Sequence, residues 1–402
     1  MTRDTIQVFK PKIREEAIQA VADVLRSGWI GLGPKVKEFE AEFASYIGTK
    51  HAIALNSCTS ALHMALILAN VKPGQVVFTT PLTFASTNLA IKYIGARPHF
   101  IDVDNYRNLD PACLEKAVKK YAPEDIGAVI VVHYSGIPAR MNGIKIALRQ
   151  SGRTDIPIIE DCAHACGSAV DGKKVGAEAD LACFSFQAVK NLPAGDGGML
   201  TTNSDEIAER ARRLAWCGID KSTFSRTAKT GEYLWQYDIP EIGYKYHMND
   251  ITAAIALEQL KYIDEDNNRR SQIANKYLSA FNNHHPKLYV YAWDQLPKSV
   301  SPSYHFLPLL FKHRDEVLMK LRERGINCGV HYMLNNMFEP FKECPFEISS
   351  GALQSDVNGL AGFYEKHLLT LPIHLHLTDE DIAFIIKSVY EVCDEIKAGN
   401  IV

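Results

Sequence analysis

Between about residue 50 and residue 203, short runs rich in Val, Ile and Phe alternate with stretches of helical character, and no other feature constrains the chain so strongly. The candidate strands are Ala52–Leu55, Val76–Thr79, His99–Val103, Ala128–Val132, Ile156–Ile159, Ala182–Phe186 and Met199–Thr202. Candidate helices cover Ser60–Ala69, Ser86–Tyr93, Pro111–Lys120, Gly143–Arg149 and Glu206–Leu214. A parallel neighbour is reached only by a long crossover, so this alternation predicts an α/β fold with a mainly parallel seven-stranded sheet covered by helices on both faces.

Open sheets of this kind bind ligands outside the carboxyl ends of their strands. Polar segments just after the apolar runs are therefore the candidates for chemistry: Asn56–Ser60, Pro81–Phe84, Asp102 with Asp104, His133–Gly136, Glu160–His164 and Gln187–Asn191. Past residue 249 the pattern changes. Ile251, Ala254, Leu257, Leu260 and Ile263 recur at helical spacing and predict a connecting helix from Asp250 to about Asn282. Beyond it, Leu307–Phe311, Asp315–Arg324, Cys328–His331 and Asp379–Ala398 read as strand, helix, strand and terminal helix. We expect a large domain over 1–280, including the N-terminal segment and the connecting helix, and a smaller C-terminal α/β domain over 281–402. The polar stretch Gly218–Tyr237 is too long for a turn and is expected to be functional or interfacial.

Charge narrows the partners. With 44 Lys and Arg against 47 Asp and Glu, the net charge of −3 gives no global attraction to nucleic acid or to an anionic membrane, so neither is expected as a partner. A phosphate-bearing ligand would have to be held by local groups. No apolar run approaches a membrane span and Met1-Thr2-Arg3-Asp4 leads into polar sequence, from which a cytoplasmic location is expected. The nine cysteines are scattered without a C-x-x-C pair and read as reduced thiols.

Common cofactor motifs are absent: the sequence has no G-x-G-x-x-G between strand and helix, no G-x-x-x-x-G-K-[ST] and no H-E-x-x-H. None of the 14 histidines makes a tight metal-ligand spacing, and no metal is expected. What remains is distributed over several strand ends. Ser57-Cys58-Thr59-Ser60 stands where a strand passes into a helix, so free amides with the Thr59 and Ser60 hydroxyls suit a phosphate, although the same residues serve as a plain N-cap. Glu160-Asp161 puts a carboxylate at the end of an apolar strand, where it suits a helix cap or a metal as well as a ligand. Lys190 precedes the glycine-rich Gly195-Asp196-Gly197-Gly198. A lone loop lysine is ordinarily solvated, but one desolvated among strand ends can lose its proton near neutrality and attack a carbonyl. An acid that keeps a pyridine nitrogen protonated, a phosphate anchor and such a lysine together describe a pyridoxal phosphate site.

Three stretches carry a resemblance to a known family: Ile159-Glu160-Asp161-Cys162-Ala163-His164-Ala165, Phe184-Ser185-Phe186-Gln187-Ala188-Val189-Lys190-Asn191, and Gly195-Asp196-Gly197-Gly198-Met199-Leu200-Thr201-Thr202-Asn203. With Ser27–Pro34 near the start and Leu371–His374 near the end, the chain resembles the DegT/StrS-type sugar aminotransferases over nearly its whole length. The resemblance implies the pyridoxal-phosphate-dependent transferase fold of type I, with pyridoxal 5'-phosphate as cofactor and pyridoxamine phosphate as its intermediate form. It implies Lys190 as the Schiff-base lysine and proton carrier, Asp161 on the pyridinium nitrogen, and Ser185 with Cys58, Thr59 and Ser60 on the phosphate. Phe84 would stack on the ring and His164, where relatives often carry Gln, would reach the phenolic oxygen. It further implies a homodimer with shared active sites, in which Lys245 and His247 replace the Asn and Arg of many members. Trp29, Gly31, His331 and Tyr332, with the Gly218–Tyr237 loop, would approach the sugar.

The activity so implied is transfer of an amino group from L-glutamate to a keto sugar, with a nucleotide-linked 3- or 4-keto-deoxyhexose in amino-sugar biosynthesis as the first expectation. A non-nucleotide keto sugar such as an oxidised octulosonate is an alternative acceptor. Two other readings are a sugar dehydratase of the same fold, which would carry His in place of Lys190, and a non-catalytic regulator that senses sugar or cofactor. An intact Lys190, Asp161 and Ser185 speaks for catalysis.

Overall fold

The computed structural model describes residues 4–220, 237–282, 296–349 and 358–399. All seven expected strands are present and share one sheet, in the order His51–Leu55, Gly198–Thr202, Leu181–Ser185, Ile158–Asp161, Ile126–Val132, Val76–Thr79 and Arg97–Ile101. Gly198–Thr202 runs antiparallel to both its neighbours, and the other pairings among the seven are parallel. The reason is local: Ser185 lies opposite Gly198, so the twelve-residue gap between them closes as a wide hairpin loop rather than a helical crossover. Lys190 rides on that loop.

Every residue of Ile126–Val132 is buried, as continuous apolar strands require when both sheet faces are covered. Alternation along His51–Leu55 shows the two faces directly. Ala52 and Ala54 pack with the helix Pro34–Ile47, whereas Ile53 and Leu55 pack with the helix Cys58–Leu68.

The sheet is eight strands wide rather than seven. Phe346–Glu347 pairs in parallel with the Arg97–Ile101 edge, Phe346 opposite Phe100. Two residues in a polar context give no period to read, and what recruits them is Asp102. Its buried carboxylate accepts from the amides of Val103 (2.8 Å), Ser349 (3.0 Å), Leu360 (3.0 Å) and Ala361 (2.9 Å), capping the helix Gly359–His367 against the end of the neighbouring strand.

Two C-terminal expectations need correction. The connecting helix is broken into Asp250–Leu260 and Ile263–Asn282. Cys328–His331 is not a strand: among the described residues only Gly329 bridges, to Thr370, and the partner of Leu307–Leu310 is the antiparallel Leu368–Leu371. The helices Arg314–Glu323 and Asp379–Gly399 appear where expected. Ile6 bridges to Ile326, so the N-terminal segment lies along this C-terminal part, and the Arg14–Asp266 ion pair (2.7 Å) fixes the start of the first helix to Ile263–Asn282. Among the described residues no helix is long and apolar enough to cross a membrane.

Candidate active site

Asp161 is the last residue of its strand and Ser185 the last of the next, so both stand at carboxyl ends of adjacent strands. Asp161 is buried. Its Oδ2 accepts from Thr87 Oγ1 (2.8 Å) and its Oδ1 from the Ala163 amide (3.1 Å), while Thr83 Oγ1 stands 3.1 Å behind Thr87. Among the described residues no cation is bonded to this carboxylate. Burial raises its pKa, against the two hydrogen bonds and the nearby Lys190.

Lys190 hangs from the hairpin loop, whose ends are tied by Phe186 N to the Gly197 carbonyl (2.9 Å) and Ala194 N to the Phe186 carbonyl (2.8 Å). Burial pulls its pKa down to about 8, opposed by Cys58 and Asp161. About a tenth of the amine is therefore unprotonated at pH 7, against well under a hundredth for an ordinary lysine, which supplies the neutral nucleophile that attack on a carbonyl needs.

Aromatic rings wall the lysine. Phe9, His305, His164 and Tyr332 form a column, with centroid separations of 5.3 Å (6° between planes), 4.9 Å (19°) and 5.9 Å (18°). Tyr332 Oη and His164 Nε2 are 3.0 Å apart, and Phe84, largely exposed at the rim, tilts toward Tyr332 at 6.0 Å. Burial lowers His164 and His305 well below the usual histidine range and His331 to about 4, so all three are neutral. His331 is placed by Thr370 Oγ1 (2.9 Å) and by Tyr134 Oη on its carbonyl. The segment carrying His331 and Tyr332 is pinned to the Pro81–Thr83 loop by Asn335, whose Nδ2 donates to the Thr83 carbonyl (2.8 Å) and whose Oδ1 accepts from Asn88 (2.9 Å).

At the start of the helix Cys58–Leu68 the N-cap reading holds in part. Ser57 Oγ accepts from Ser60 N (3.1 Å), and the Ser60 hydroxyl is taken up by Asn56 Oδ1 (2.5 Å). Among the described residues the amides of Cys58 and Thr59 have no protein acceptor, as expected of a helix's first turn. A side chain at position 198 would meet the Ser57 carbonyl carbon at 2.3 Å, so only glycine lets the returning strand pass this turn.

Lys245 lies beside the same turn through its backbone, its carbonyl accepting from Asn56 Nδ2 (3.4 Å) and that of the next residue, Tyr246, from the Asn56 amide (2.7 Å), but its Nζ sits 3.3 Å over the Trp216 ring. His247 packs on Trp216 at 4.5 Å. Trp29 and Gly31 join a different neighbourhood, where the Gly31 carbonyl accepts from Asp250 N (2.8 Å) and Trp29 lines a cleft of about 740 Å³ with Glu15, Asp23 and Glu258. Among the described residues no contact links either to Lys190. Most of the Gly218–Tyr237 loop lies outside the described residues.

Three contributors carry little local signal. His305 is 115 positions from Lys190 in sequence, Phe9 sits in an irregular N-terminal segment, and Thr87 is an ordinary first-turn threonine. Spacing also gave no metal cluster, yet the fold brings His133, Glu160 and Cys162 together. The histidine is engaged already. Its Nδ1 accepts from Ala139 N (3.0 Å), leaving Nε2–H to donate to Glu160 (3.0 Å).

The donor set fits pyridoxal phosphate. A buried carboxylate without a bonded cation suits a protonated ring nitrogen. The His164 Nδ1 atom is buried with no partner among the described residues and suits a phenolic oxygen. Open amides at a helix start suit a phosphate.

A model of the DegT/DnrJ/EryC1/StrS aminotransferase family matches residues 11–390. The spore coat polysaccharide biosynthesis protein SpsC of Bacillus subtilis is 35% identical over 398 residues, with 95% of each chain covered. The UDP-4-amino-4,6-dideoxy-N-acetyl-beta-L-altrosamine transaminase of Campylobacter jejuni is 33% identical over 392 residues, covering 96% of this chain and 97% of that one. Among solved structures, Spr1654 of Streptococcus pneumoniae in its PMP form superposes with a TM-score of 0.85 at 28% identity, over 97% of this chain and all of that chain. Its PLP form gives 0.84 over 98% of this chain and 99% of that one, again at 28% identity.

Proposed function

Because the chain belongs to the DegT/DnrJ/EryC1/StrS aminotransferase family and is a pyridoxal-phosphate-dependent transaminase, we propose that it carries an amino group from L-glutamate to the keto group of a nucleotide-linked deoxyhexose, at C3 or C4. The observation that carries this reading is the buried Asp161 at its strand end together with Lys190, its pKa near 8, on the loop that leaves the adjoining strand at Ser185. The relatives named for sugar work, one a UDP-sugar transaminase and one a polysaccharide biosynthesis protein, support the acceptor class.

Bound pyridoxal phosphate supplies an electron sink that stabilises negative charge at the α-carbon of an amino donor. The remaining tasks fall to the chain. Lys190 would hold the cofactor through Nζ, water leaving as the imine forms, and once a donor amine had displaced it the freed Nζ would be the base placed to accept the donor's α-proton and return it one position along. Asp161 would hold the proton on the ring nitrogen, with Thr87 and the Ala163 amide keeping its oxygens in place. The open amides of Cys58 and Thr59, with the Thr59 and Ser185 hydroxyls, would hold the phosphate, the Ser60 amide and hydroxyl being engaged by Ser57 and Asn56, while His164 Nδ1 would meet the phenolic oxygen and Phe84 would lie against the ring. His331 and Tyr332 line the approach for the sugar.

A second copy completes the site in this reading. Phe84 is 58% exposed at the rim of the proposed cofactor pocket, and Tyr93 (57%) and Ile242 (88%) are further exposed apolar side chains, Tyr93 packing edge-on to His63 beside Tyr244 and Tyr246. Lys245, and through Trp29 and Gly31 the N-terminal loop, would then serve a neighbouring copy's phosphate and sugar ends.

The test is a panel of keto sugars incubated with glutamate and the loaded enzyme. Amination of a nucleotide-linked ketohexose with parallel lines in initial-rate plots is the expected result. Intersecting lines, or turnover confined to non-nucleotide keto sugars, would overturn the mechanism or the acceptor respectively. Water loss from the sugar without glutamate would indicate a dehydratase, which Lys190 argues against.

A further inference from the structure

Behind Lys190 runs a chain of hydrogen bonds in which every direction is determined. Asn267 Nδ2 donates to the Cys166 carbonyl (2.9 Å), so its Oδ1 accepts from Asn191 Nδ2 (2.6 Å). Asn191 Nδ2 also donates to the Ser303 carbonyl (2.9 Å), which can only accept. Asn191 therefore turns Oδ1 toward His305 Nδ1 (3.1 Å), and that nitrogen must carry the ring's hydrogen. His305 Nε2 is left as a bare lone pair, 3.4 Å from Lys190 Nζ. Phe9 and His164, stacked on its two sides, hold the ring plane.

We propose that His305 is a positioning residue for Lys190: its Nε2 accepts an N–H from the amine, and Asn191 and Asn267 fix the tautomer that makes this possible. The inference rests on the reading of Lys190 as the reactive amine. An imidazole protonated at both nitrogens would repel the ammonium, but burial and the charge of Lys190 itself keep His305 neutral. The contact orients Nζ and stabilises its charged form, limiting how far burial alone drives the pKa down. Cys58, Asp161, His164 and His331 also face the amine and remain in place in every variant below.

Trace acetylation of the full-length, cofactor-free chain over a pH series, with the Lys190 peptide quantified by mass spectrometry, reads the amine's titration. The wild-type midpoint is expected near 8. In His305→Phe it falls by roughly one pH unit, the size of a lost hydrogen bond to a charged group, and in His305→Gln, which restores an acceptor, it returns most of the way. An unmoved midpoint in His305→Phe, or equal shifts in both variants, would refute the proposal. Nitrogen-15 NMR of histidine-labelled wild-type protein tests it even where a variant misfolds: hydrogen on Nδ1 of His305 supports it, and hydrogen on Nε2 overturns it. Neither measurement needs the cofactor, so a chain that failed to take up pyridoxal phosphate would count against the function while this pairing was judged on its own titration.

Discussion

Replacing Lys190 with Met should stabilise the cofactor-free protein, and by an amount that depends on pH. The amine's pKa falls from its ordinary 10.5 to about 8 because burial disfavours its charged form. Below pH 8 the lysine is protonated in both folded and unfolded chains, and the folded chain bears the full penalty of a desolvated charge. Between about 8 and 10.5 only the unfolded chain stays protonated, so the penalty shrinks, and above 10.5 it is gone. The difference corresponds to about 3 kcal/mol. Because the residue as a whole is only half-buried, water screens part of the charge, and about 1–2 kcal/mol is the expected gain for Lys190→Met at pH 7. Guanidinium unfolding of both proteins, stripped of cofactor, at pH 7 and again near pH 10.5 measures it through the transition midpoints at constant slope. A variant that is no more stable than wild type at pH 7, or a gain equal at both pH values, would show that the amine is well solvated and that its reactivity has another source. The trade is the one expected where catalysis needs a neutral amine in a place that makes its charged form costly.

Asp161→Asn removes the charge that would hold a ring nitrogen protonated while keeping the shape, so kcat should fall by about 10²–10³-fold with little change in unfolding midpoint; steady-state kinetics against chemical denaturation separates the two. Asp102→Ala leaves four amides without their acceptor, three of them from the Ser349–Ala361 region, and should cost about 2–4 kcal/mol in denaturant unfolding. Gly198→Ala drives a methyl to 2.3 Å from the Ser57 carbonyl carbon, and the displaced helix start should weaken pyridoxal phosphate binding at least tenfold in equilibrium titration.

What the sequence disclosed and what it withheld divide along a physical line. Strands buried on both faces are continuously apolar or nearly so, as Val76–Thr79 and Ile126–Val132 are, which makes such runs readable without knowledge of their neighbours, although the antiparallel direction of Gly198–Thr202 is not. Strand-end chemistry was readable for the same reason, since Asp161 and Ser185 follow directly on those runs. The Phe346–Glu347 strand was not, because it owes its place to Asp102, which binds the Ser349 amide across 247 positions of chain, and Cys328–His331 misled because its apolar and polar residues serve a ring cluster rather than a ladder.

His305 is the sharpest case of what local reading misses. Within Ser303-Tyr304-His305-Phe306 it looks like any core histidine, buried and aromatic-flanked. Its significance comes from direction rather than identity: a hydrogen on Nδ1 instead of Nε2 is set by Asn191, whose own orientation is set by a carbonyl at Ser303 and by Asn267 on the long helix. Four segments far apart in sequence thus converge on one lone pair beside Lys190. Residue type at position 305 limits the choices to donor or acceptor, and only the fold decides between them. If that lone pair matters as argued, Asn191→Leu should mimic part of the His305→Phe effect on the lysine titration although it touches neither the amine nor the imidazole lone pair, because a ring without its Nδ1 acceptor is free to move its hydrogen to Nε2. A Lys190 midpoint in Asn191→Leu identical to wild type would mean that the stacked Phe9 and His164 rings hold the imidazole unaided, and the amide chain would then be packing alone.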